Sequence, residues 1–245
     1  MKRFFKITGI ILGALLAVGL IAFLVLNEPL PQGEIGPEAE LLAEKMFDAI
    51  DHEAYENTQF LEWDMMGAHF YKWDKKLHKI EVSWDENVVI IFPDSPEKNE
   101  VLKPENVTDK QKLKLFKTAT DFFNNDSFWL IAPHKIYDKG VERRLVNYEG
   151  KDALLVTYTS GGSTPGDSYL WVLEENGLPT SYKMWVSVLP IGGIEATWED
   201  WTTMESGLPI AKTRKISAFT LEMGSLKAYN ELSDEAIQLV APQSE

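Results

Sequence analysis

The stretch SYLWVLEENGLPTSYKMW, residues 168–185, decides the fold class of this chain. Two runs rich in aromatic and aliphatic residues flank Asn176 and Gly177, a dipeptide that is a strong signal for a β-hairpin in such surroundings. In the second run, apolar Tyr182 and Met184 alternate with more polar neighbours, which predicts one buried and one mixed face. The first run is apolar on both faces. We therefore expect a curved sheet that encloses either its own helices or a cavity.

The β pattern continues outward from this hairpin through most of the chain. Short aromatic and β-branched runs separated by turn signals predict about eleven strands, at 60–64, 68–73, 79–84, 88–92, 141–148, 153–159, 168–173, 181–188, 194–201, 211–219 and 221–227. Two segments show helical spacing instead: 37–52, with Pro37 in its first turn, and 108–124, with Thr108 as N-cap. Since no linker separates the halves, we predict one α+β domain, a curved, mostly antiparallel sheet packed on two principal helices.

Composition excludes several classes of protein. The 245 residues include 24 Lys and Arg against 38 Asp and Glu, a net charge of −14, which argues against binding to nucleic acid. There is no cysteine, so disulfides, thiolate metal sites, cysteine nucleophiles and lipid attachment through cysteine are excluded.

The first 26 residues differ in character from the rest. Lys2, Arg3 and Lys6 precede 20 uncharged residues, 7–26, which as a helix would cover about 30 Å, the thickness of the bilayer core. A cleaved signal peptide has a shorter apolar run and a small-residue cleavage site, which this segment lacks, although cleavage at an unusual site is the alternative. We therefore predict an uncleaved transmembrane signal anchor.

The anchor predicts location and domain organisation. By the positive-inside rule, the chain is expected to be a single-pass protein of the cytoplasmic (inner) membrane, with its N-terminus inside and a periplasmic domain. We divide it into a cytoplasmic tip and anchor, 1–26, a Pro- and Gly-rich tether, 27–36, and an extracytoplasmic α+β domain, 37–245. The anchor holds Lys2, Arg3 and Lys6, so 21 basic and 38 acidic residues remain outside it, a balance of −17.

The element order and the hairpin at 169–185 resemble the Lol type of periplasmic lipoprotein carriers and outer-membrane lipoprotein receptors. The segments 125–130 and 160–169 also resemble membrane-anchored proteins from bacteria of the Bacteroidota type. This resemblance implies a curved antiparallel sheet that wraps around helices and leaves an apolar cavity. Such carriers are released by signal cleavage and such receptors are lipidated on cysteine, so here the resemblance implies a fixed lipid-handling or sensing role, with no functional residue transferred.

Aromatic residues are the candidate ligand-binding groups. All eight tryptophans follow residue 26, mostly in predicted strands, and an aromatic concave face suits an acyl chain, a sugar or a peptide. We expect a non-enzymatic domain that binds a lipid or lipidated protein through Tyr169, Trp171, Trp185, Trp198, Trp201 and Trp129. The alternative for each is a position in the core, and for the domain a filled core with a structural or protein-interaction role.

A hydrolase is the other alternative. Glu195 and Glu199 share one face of a predicted strand near two tryptophans, an arrangement compatible with a carbohydrate-active enzyme. His69 and His78 on neighbouring strands could form a two-histidine site, although isolated histidines are the expectation, and His134 is expected in an exposed turn. No motif predicts a catalytic residue, a metal site or a cofactor.

Overall fold

The computed structural model describes residues 26–160 and 164–230, together with Thr8, Gly13, Phe23 and Leu24. Apart from those single positions and Leu26, the predicted anchor at 7–26 lies outside the described residues, and so does the predicted domain beyond 230. Among the described residues, no helix has the length and apolar character needed to cross a membrane.

From residue 27 onward, the described chain forms three α-helices, two short 3-10 helices and fourteen strands. The α-helices are α1 (Pro37–Ala49), α2 (His52–Asn57) and α3 (Asp109–Ile131), and the 3-10 helices are Pro96–Lys98 and Ala132–Lys135. The strands are β1 (Phe60–Met65), β2 (His69–Asp74), β3 (Lys79–Trp84), β4 (Asn87–Ile91), β5 (Glu100–Lys103), β6 (Val141–Tyr148), β7 (Lys151–Tyr158), β8 (Ser168–Leu173), β9 (Pro179–Trp185), β10 (Ile194–Thr197), β11 (Thr202–Thr203), β12 (Pro209–Ile210), β13 (Thr213–Ile216) and β14 (Phe219–Tyr229).

All described strand pairs are antiparallel, which confirms the predicted mostly antiparallel α+β class. The order is β13-β14-β1-β2-β3-β4-β5 in a seven-stranded sheet, β10-β9-β8-β7-β6 in a five-stranded sheet, and β11-β12 in a separate pair. The eleven predicted strands are present with shifted ends. The count is wrong because β5, β11 and β12 were not predicted, and the last two have only two residues each, too few to show alternation.

The prediction of one continuous sheet is also wrong for the described residues. The predicted strand 194–201 stops at Thr197, and Asp200 has a positive φ of 57°, which interrupts an extended run. The two large sheets still meet at this point. An isolated bridge joins Glu199 to Thr213, and the Thr197 hydroxyl accepts a 2.9 Å hydrogen bond from the Lys215 amide.

Helix α3 begins as predicted but ends later. Thr108 is the N-cap and forms a capping box with Gln111. The predicted end at residue 124 is wrong, because the helix continues through an asparagine, an aspartate and a serine to Ile131. These residue types weaken isolated helices, but the Asp126 side chain and Leu130 are buried against the sheets, and tertiary packing overrides the weak propensity.

Helix α1 begins as predicted at Pro37 but ends at Ala49, and Asp51 in the left-handed region then caps α2. The segment 27–36, predicted as a tether, lies along the face of the five-stranded sheet opposite α1. Glu34 forms a backbone bridge with Leu145 of β6. Near the start of the segment, the Glu28 carbonyl oxygen accepts a hydrogen bond from Trp185 on the face opposite α1, so the segment covers part of the apolar second face.

The buried side chains form two large cores. One lies between the seven-stranded sheet and most of α3, and the other lies between the five-stranded sheet, α1 and the end of α3. Trp129, in the last turns of α3, packs against both cores. The end of α3 is therefore the place where the two halves of the domain share side chains.

Candidate functional site: an aromatic cluster with a buried arginine

Eight aromatic side chains form a continuous group between the end of α3 and the inner face of the five-stranded sheet. Neighbouring ring centroids lie 4.8–6.3 Å apart, in tilted and edge-to-face arrangements that favour aromatic attraction. We call this group the aromatic cluster; its members are Phe128, Trp129, Tyr158, Tyr169, Trp171, Tyr182, Trp198 and Trp201.

The cluster follows from the hairpin register. Tyr169 and Trp171 lie two residues apart on β8 and so share one face. Trp171 is paired directly with Tyr182 of β9, and their rings meet edge to face at 5.0 Å. The Trp198 amide then donates to the Thr180 carbonyl oxygen at 2.7 Å, which places the Trp198 ring 5.1 Å from that of Trp171.

Five of the six predicted ligand-binding residues are brought together in this cluster. Tyr169, Trp171 and Trp198 are buried, whereas Trp129 and Trp201 are partly exposed. The sixth, Trp185, lies on the opposite face of the sheet, where its indole N–H donates to the Glu28 carbonyl oxygen at 2.8 Å. A ligand-binding role for these residues stays a prediction.

Several buried polar atoms of the cluster have no hydrogen-bond partner among the described residues. They are the hydroxyls of Tyr158 and Tyr182 and the indole nitrogens of Trp171 and Trp198. Burial raises the pKa of both tyrosines well above its usual value, so each hydroxyl keeps its proton at neutral pH. Leaving such a group unpaired costs about 1–3 kcal/mol, and most buried polar groups in proteins are paired.

Arg214 of β13 borders the cluster and is completely buried. Its guanidinium carbon lies 3.4 Å from the centroid of the Trp198 ring, its Nη1 donates to the Thr213 carbonyl oxygen at 3.0 Å and its Nη2 to that of Trp129 at 2.9 Å. Its Nε has no partner among the described residues. Burial lowers the pKa of Arg214 to about 9, so the side chain is still a cation at neutral pH.

Sequence reasoning missed Arg214, although a signal was present. Residues 214 and 216 share a face of the predicted strand, and Ile216 is apolar, so the alternation places both on the inner side. Both Arg214 and Ile216 lie on the core side of β13, while Lys215 is exposed. Tyr158 and Tyr182 belong to the cluster but were not among the predicted binding residues.

A surface cleft of about 540 Å³ opens next to the cluster. Trp201 and Thr213 contribute to its lining together with Lys212 and Glu222. The Trp201 ring lies 6.3 Å from that of Trp198, which in turn stacks on Arg214. The cleft therefore connects solvent with the outer edge of the aromatic cluster.

A second polar group surrounds His134, which the sequence places in an exposed turn. That expectation is wrong, because His134 is only 6% exposed in the 3-10 helix after α3, and its ring is stacked 4.4 Å from that of Tyr55. Its Nδ1 lies 3.3 Å from the Nδ1 of His52. Burial, reinforced by His52 and Lys75, lowers the pKa of His134 well below its usual value. Burial also lowers the pKa of Lys75 to about 8.

His69 belongs to a third group. Its Nδ1 lies 2.7 Å from the carboxylate of buried Asp126, which also accepts a 2.5 Å hydrogen bond from the Tyr71 hydroxyl. His78 is exposed and pairs with Asp94, so the two histidines do not share a site. No group of three or more His, Asp or Glu side chains is suited to hold a metal ion in the part of the chain that the structure describes.

The carboxylate pair considered for hydrolysis has other partners. Glu199 binds Lys215 at 2.6 Å, and this hydrogen bond lowers the pKa of Glu199. A general acid for glycoside hydrolysis needs a raised pKa. The pair formed by Glu195 and Glu199 therefore gives the hydrolase alternative no support.

Fold and site together define a mostly antiparallel α+β protein with an aromatic, partly polar interior. No protein-family model and no curated protein matches the chain. Among solved structures, it is similar to a DUF1329 family protein from Desulfovibrio piger ATCC 29098, with a TM-score of 0.37 and 9% identity, over 80% of this chain and 95% of that chain. A likeness this weak decides neither fold family nor function, and the resemblance to Lol-type proteins is not confirmed.

Proposed function

We propose that the domain is a non-enzymatic binding protein for an apolar or amphipathic ligand, a lipid or the acyl chain of a lipidated protein, which it holds at the aromatic cluster. The observation that carries this proposal is the set of unpaired donors inside an otherwise apolar region. Tyr158, Tyr182, Trp171 and Trp198 each have a buried polar hydrogen without an acceptor among the residues that the structure describes. An amphipathic molecule supplies both parts that are needed, an acceptor for the donors and an apolar body for the rings.

The cleft beside Trp201 is the proposed entrance. Trp201 is partly exposed, and its indole N–H donates to the Pro179 carbonyl oxygen at 3.2 Å, which holds the ring at the rim. Behind it lie Trp198 and Trp171, at centroid separations of 6.3 Å and then 5.1 Å. A ligand entering at Trp201 would meet an unbroken row of ring faces.

The filled-core reading remains the second candidate function. The same close ring contacts, with Tyr169, Trp171 and Trp198 almost fully buried, are what a purely structural core also needs. A domain of this kind would act through its surface, as a structural or protein-interaction domain. The two candidates differ in whether anything enters the cluster.

Retained ligand distinguishes them. The full-length chain is purified in a mild non-ionic detergent, extracted with organic solvent and analysed by mass spectrometry for bound small molecules. We expect one class of amphipathic molecule at about one per chain, and a large loss of it in Trp171→Phe, which removes one unpaired donor and part of the ring surface. Trp63→Phe is the matched control, because Trp63 is equally buried with an unpaired indole nitrogen but lies in the other core.

An extract without such a molecule, from a chain that also takes up no added amphiphile, would favour the filled core. Equal loss in Trp171→Phe and Trp63→Phe would show that the retained molecule is not held at the cluster.

We also propose that residues 7–26 anchor the protein in the cytoplasmic membrane, with the domain on the periplasmic side. The support is the acid-free, cationic start of the chain followed by 20 uncharged residues. The absence of cysteine allows a clean test, since a single introduced cysteine is the sole target of a membrane-impermeant maleimide. In spheroplasts we expect labelling of Lys98→Cys, on an exposed 3-10 helix, and labelling of Lys2→Cys only after lysis. The reverse pattern would overturn this orientation.

A further inference from the structure

We propose that the polar group of the ligand is a carboxylate, bound inside the domain by Arg214 and the neighbouring hydroxyl of Tyr182. This inference rests on the proposed function, because it specifies the chemistry of the molecule held at the aromatic cluster. The observation behind it is different: a cation enclosed in the domain without an anion.

The charge of Arg214 is not neutralised by the described protein. No ion pair joins it to an aspartate or glutamate in the described part of the chain, although ion pairs occur at other arginines, such as Arg143 with Glu40. Of the groups that act electrostatically on Arg214, Tyr182 is the one that counters the effect of burial. Tyr182 is itself uncharged at neutral pH, since burial raises the pKa of its hydroxyl.

The end of α3 compensates the charge only in part. Arg214 donates to the carbonyl oxygen of Trp129, in the last turn of that helix, where the macrodipole presents roughly half a negative charge. The ring face of Trp198 adds a further attraction. Neither replaces a full counter-charge, and buried charges in proteins are normally paired with an opposite charge.

The unpaired atoms are all of the type that an anion requires. Arg214 Nε, the hydroxyls of Tyr158 and Tyr182 and the indole nitrogens of Trp171 and Trp198 can each donate a hydrogen bond, and two of the three guanidinium nitrogens are already engaged with carbonyl oxygens. The two tyrosine oxygens could also accept a hydrogen bond, but a cation bound there would be repelled by the charge of Arg214. A carboxylate accepts several such bonds with a single charge, which matches the single charge of Arg214.

The aromatic surroundings favour an organic acid over a bare inorganic ion. Rings from α3, β8 and β9 enclose the donors, so an anion without an apolar body would lose its water without gaining contact surface. Fatty acids and acidic acylated molecules have the required combination of one carboxylate and one apolar chain.

Photo-cross-linking tests this in the full-length chain. The protein in mild detergent is incubated with a palmitic acid carrying a diazirine near its methyl end, or with the alcohol of identical chain, irradiated and digested, and the cross-linked peptides are identified by mass spectrometry. We expect the acid to label peptides that contain cluster residues about tenfold more than the alcohol, the selectivity expected of a charge-assisted hydrogen bond.

Arg214→Met should reduce labelling by the acid about tenfold and leave labelling by the alcohol unchanged. Arg214→Lys, which keeps the charge, should retain a preference for the acid. Arg143→Met is the matched control, because Arg143 also lies over an aromatic ring, at 4.2 Å from Tyr137, and donates to a backbone carbonyl oxygen, but is paired with Glu40. Circular dichroism of each variant verifies folding. If Arg214→Met misfolds, the test rests on Arg214→Lys and on the ratio of acid labelling to alcohol labelling in the parent protein.

The outcomes separate the two proposals. Equal labelling of the cluster by acid and alcohol would overturn the carboxylate site and leave the proposed function standing. Labelling of the cluster by neither molecule would overturn both. Acid-selective labelling that survives Arg214→Met would overturn the role of Arg214.

Discussion

The guanidinium of Arg214 donates a 2.9 Å hydrogen bond to the carbonyl oxygen of Trp129, an acceptor that the helix itself cannot satisfy. In an α-helix this oxygen would accept from the amide four residues later, and that residue is Pro133, which has no N–H. A side chain from β13 therefore occupies a place left open by a proline. This hydrogen bond joins the end of α3 to β13, an edge strand of the seven-stranded sheet.

The first prediction concerns the stability effect of Arg214. Arg214→Met replaces a buried, unneutralised cation by an apolar chain of similar length, and such exchanges are often neutral or stabilising. We expect the free energy of unfolding of ligand-free protein to change by less than about 1 kcal/mol, whereas Arg214→Ala should lower it by about 3 kcal/mol through the cavity it leaves. Denaturant unfolding followed by tryptophan fluorescence measures both. A Met variant as unstable as the Ala variant would mean that the charge is already well compensated.

The second prediction concerns the buried carboxylate of Asp126, which binds His69 and Tyr71. Asp126→Asn should lower the free energy of unfolding by about 2–4 kcal/mol, because it breaks a buried polar network and leaves its partners unsatisfied. Asp121→Asn, on the exposed side of the same helix, should change it by no more than about 0.5 kcal/mol. Similar values for the two variants would show that the network contributes little.

The third prediction is a dependence of stability on pH that arises from His134. Its pKa in the folded state is lowered by burial, so between the usual value of 6.5 and the folded value the unfolded chain binds a proton that the folded chain does not. The contribution of neutral His134 to the free energy of unfolding is therefore fully present above about pH 6.5. Below that pH the free energy of unfolding falls, by up to about 1.4 kcal/mol per pH unit for one proton.

His134→Phe keeps a ring for stacking on Tyr55 and removes the titrating group. The free energy of unfolding is measured from denaturation curves at a series of pH values between 7.5 and 5, all above the pH at which the whole domain unfolds. Plotted against pH, it should have a smaller slope for this variant than for the parent. His78→Gln, at an exposed position, is the control and should keep the parental slope. An unchanged slope in His134→Phe would assign the effect to other groups.

The fourth prediction tests the hairpin that defines the fold. Gly177 has a φ of +95°, and a Cβ at this position would lie 2.5 Å from the carbonyl oxygen of Lys45. Gly177→Ala should therefore combine backbone strain with a steric clash against α1, a loss of about 2–3 kcal/mol. Gly150, with a φ of +81° and open space around it, provides the matched comparison, and Gly150→Ala should cost only about 1 kcal/mol. Thermal unfolding of both variants measures the difference, and equal costs would refute a contribution from the contact with Lys45.

Local pattern accounts for the predictable part of this structure. The hairpin at 169–185 follows from alternation and a turn dipeptide, and Thr108 begins α3 because its side chain caps the helix. Of the five predicted aromatic residues in the cluster, Tyr169 and Trp171 come together because they share one face of β8. Each of these features is decided by residues close together in sequence.

The unpredicted features depend on partners distant in sequence. Helix α3 continues past residue 124 because Asp126 meets β2, and His134 is buried because α2 packs over it. Arg214 lies inside the domain because the end of α3 offers it a carbonyl oxygen 85 residues away. Alternation in β13 indicates that Arg214 faces inward, but no periodicity within a single segment identifies these distant partners.

The contacts of the segment 27–36 have a mechanical consequence. The Glu28 carboxylate accepts hydrogen bonds of 2.6 and 2.7 Å from Lys183, and the Asn27 side chain accepts one of 2.9 Å from the Gly192 amide. These hydrogen bonds therefore hold the chain where it leaves the domain, at a fixed point on one edge of the five-stranded sheet. If the preceding residues cross a bilayer as the sequence predicts, the domain cannot swivel freely on its anchor. It would present a constant side to the membrane surface, and its orientation would be set by these few bonds.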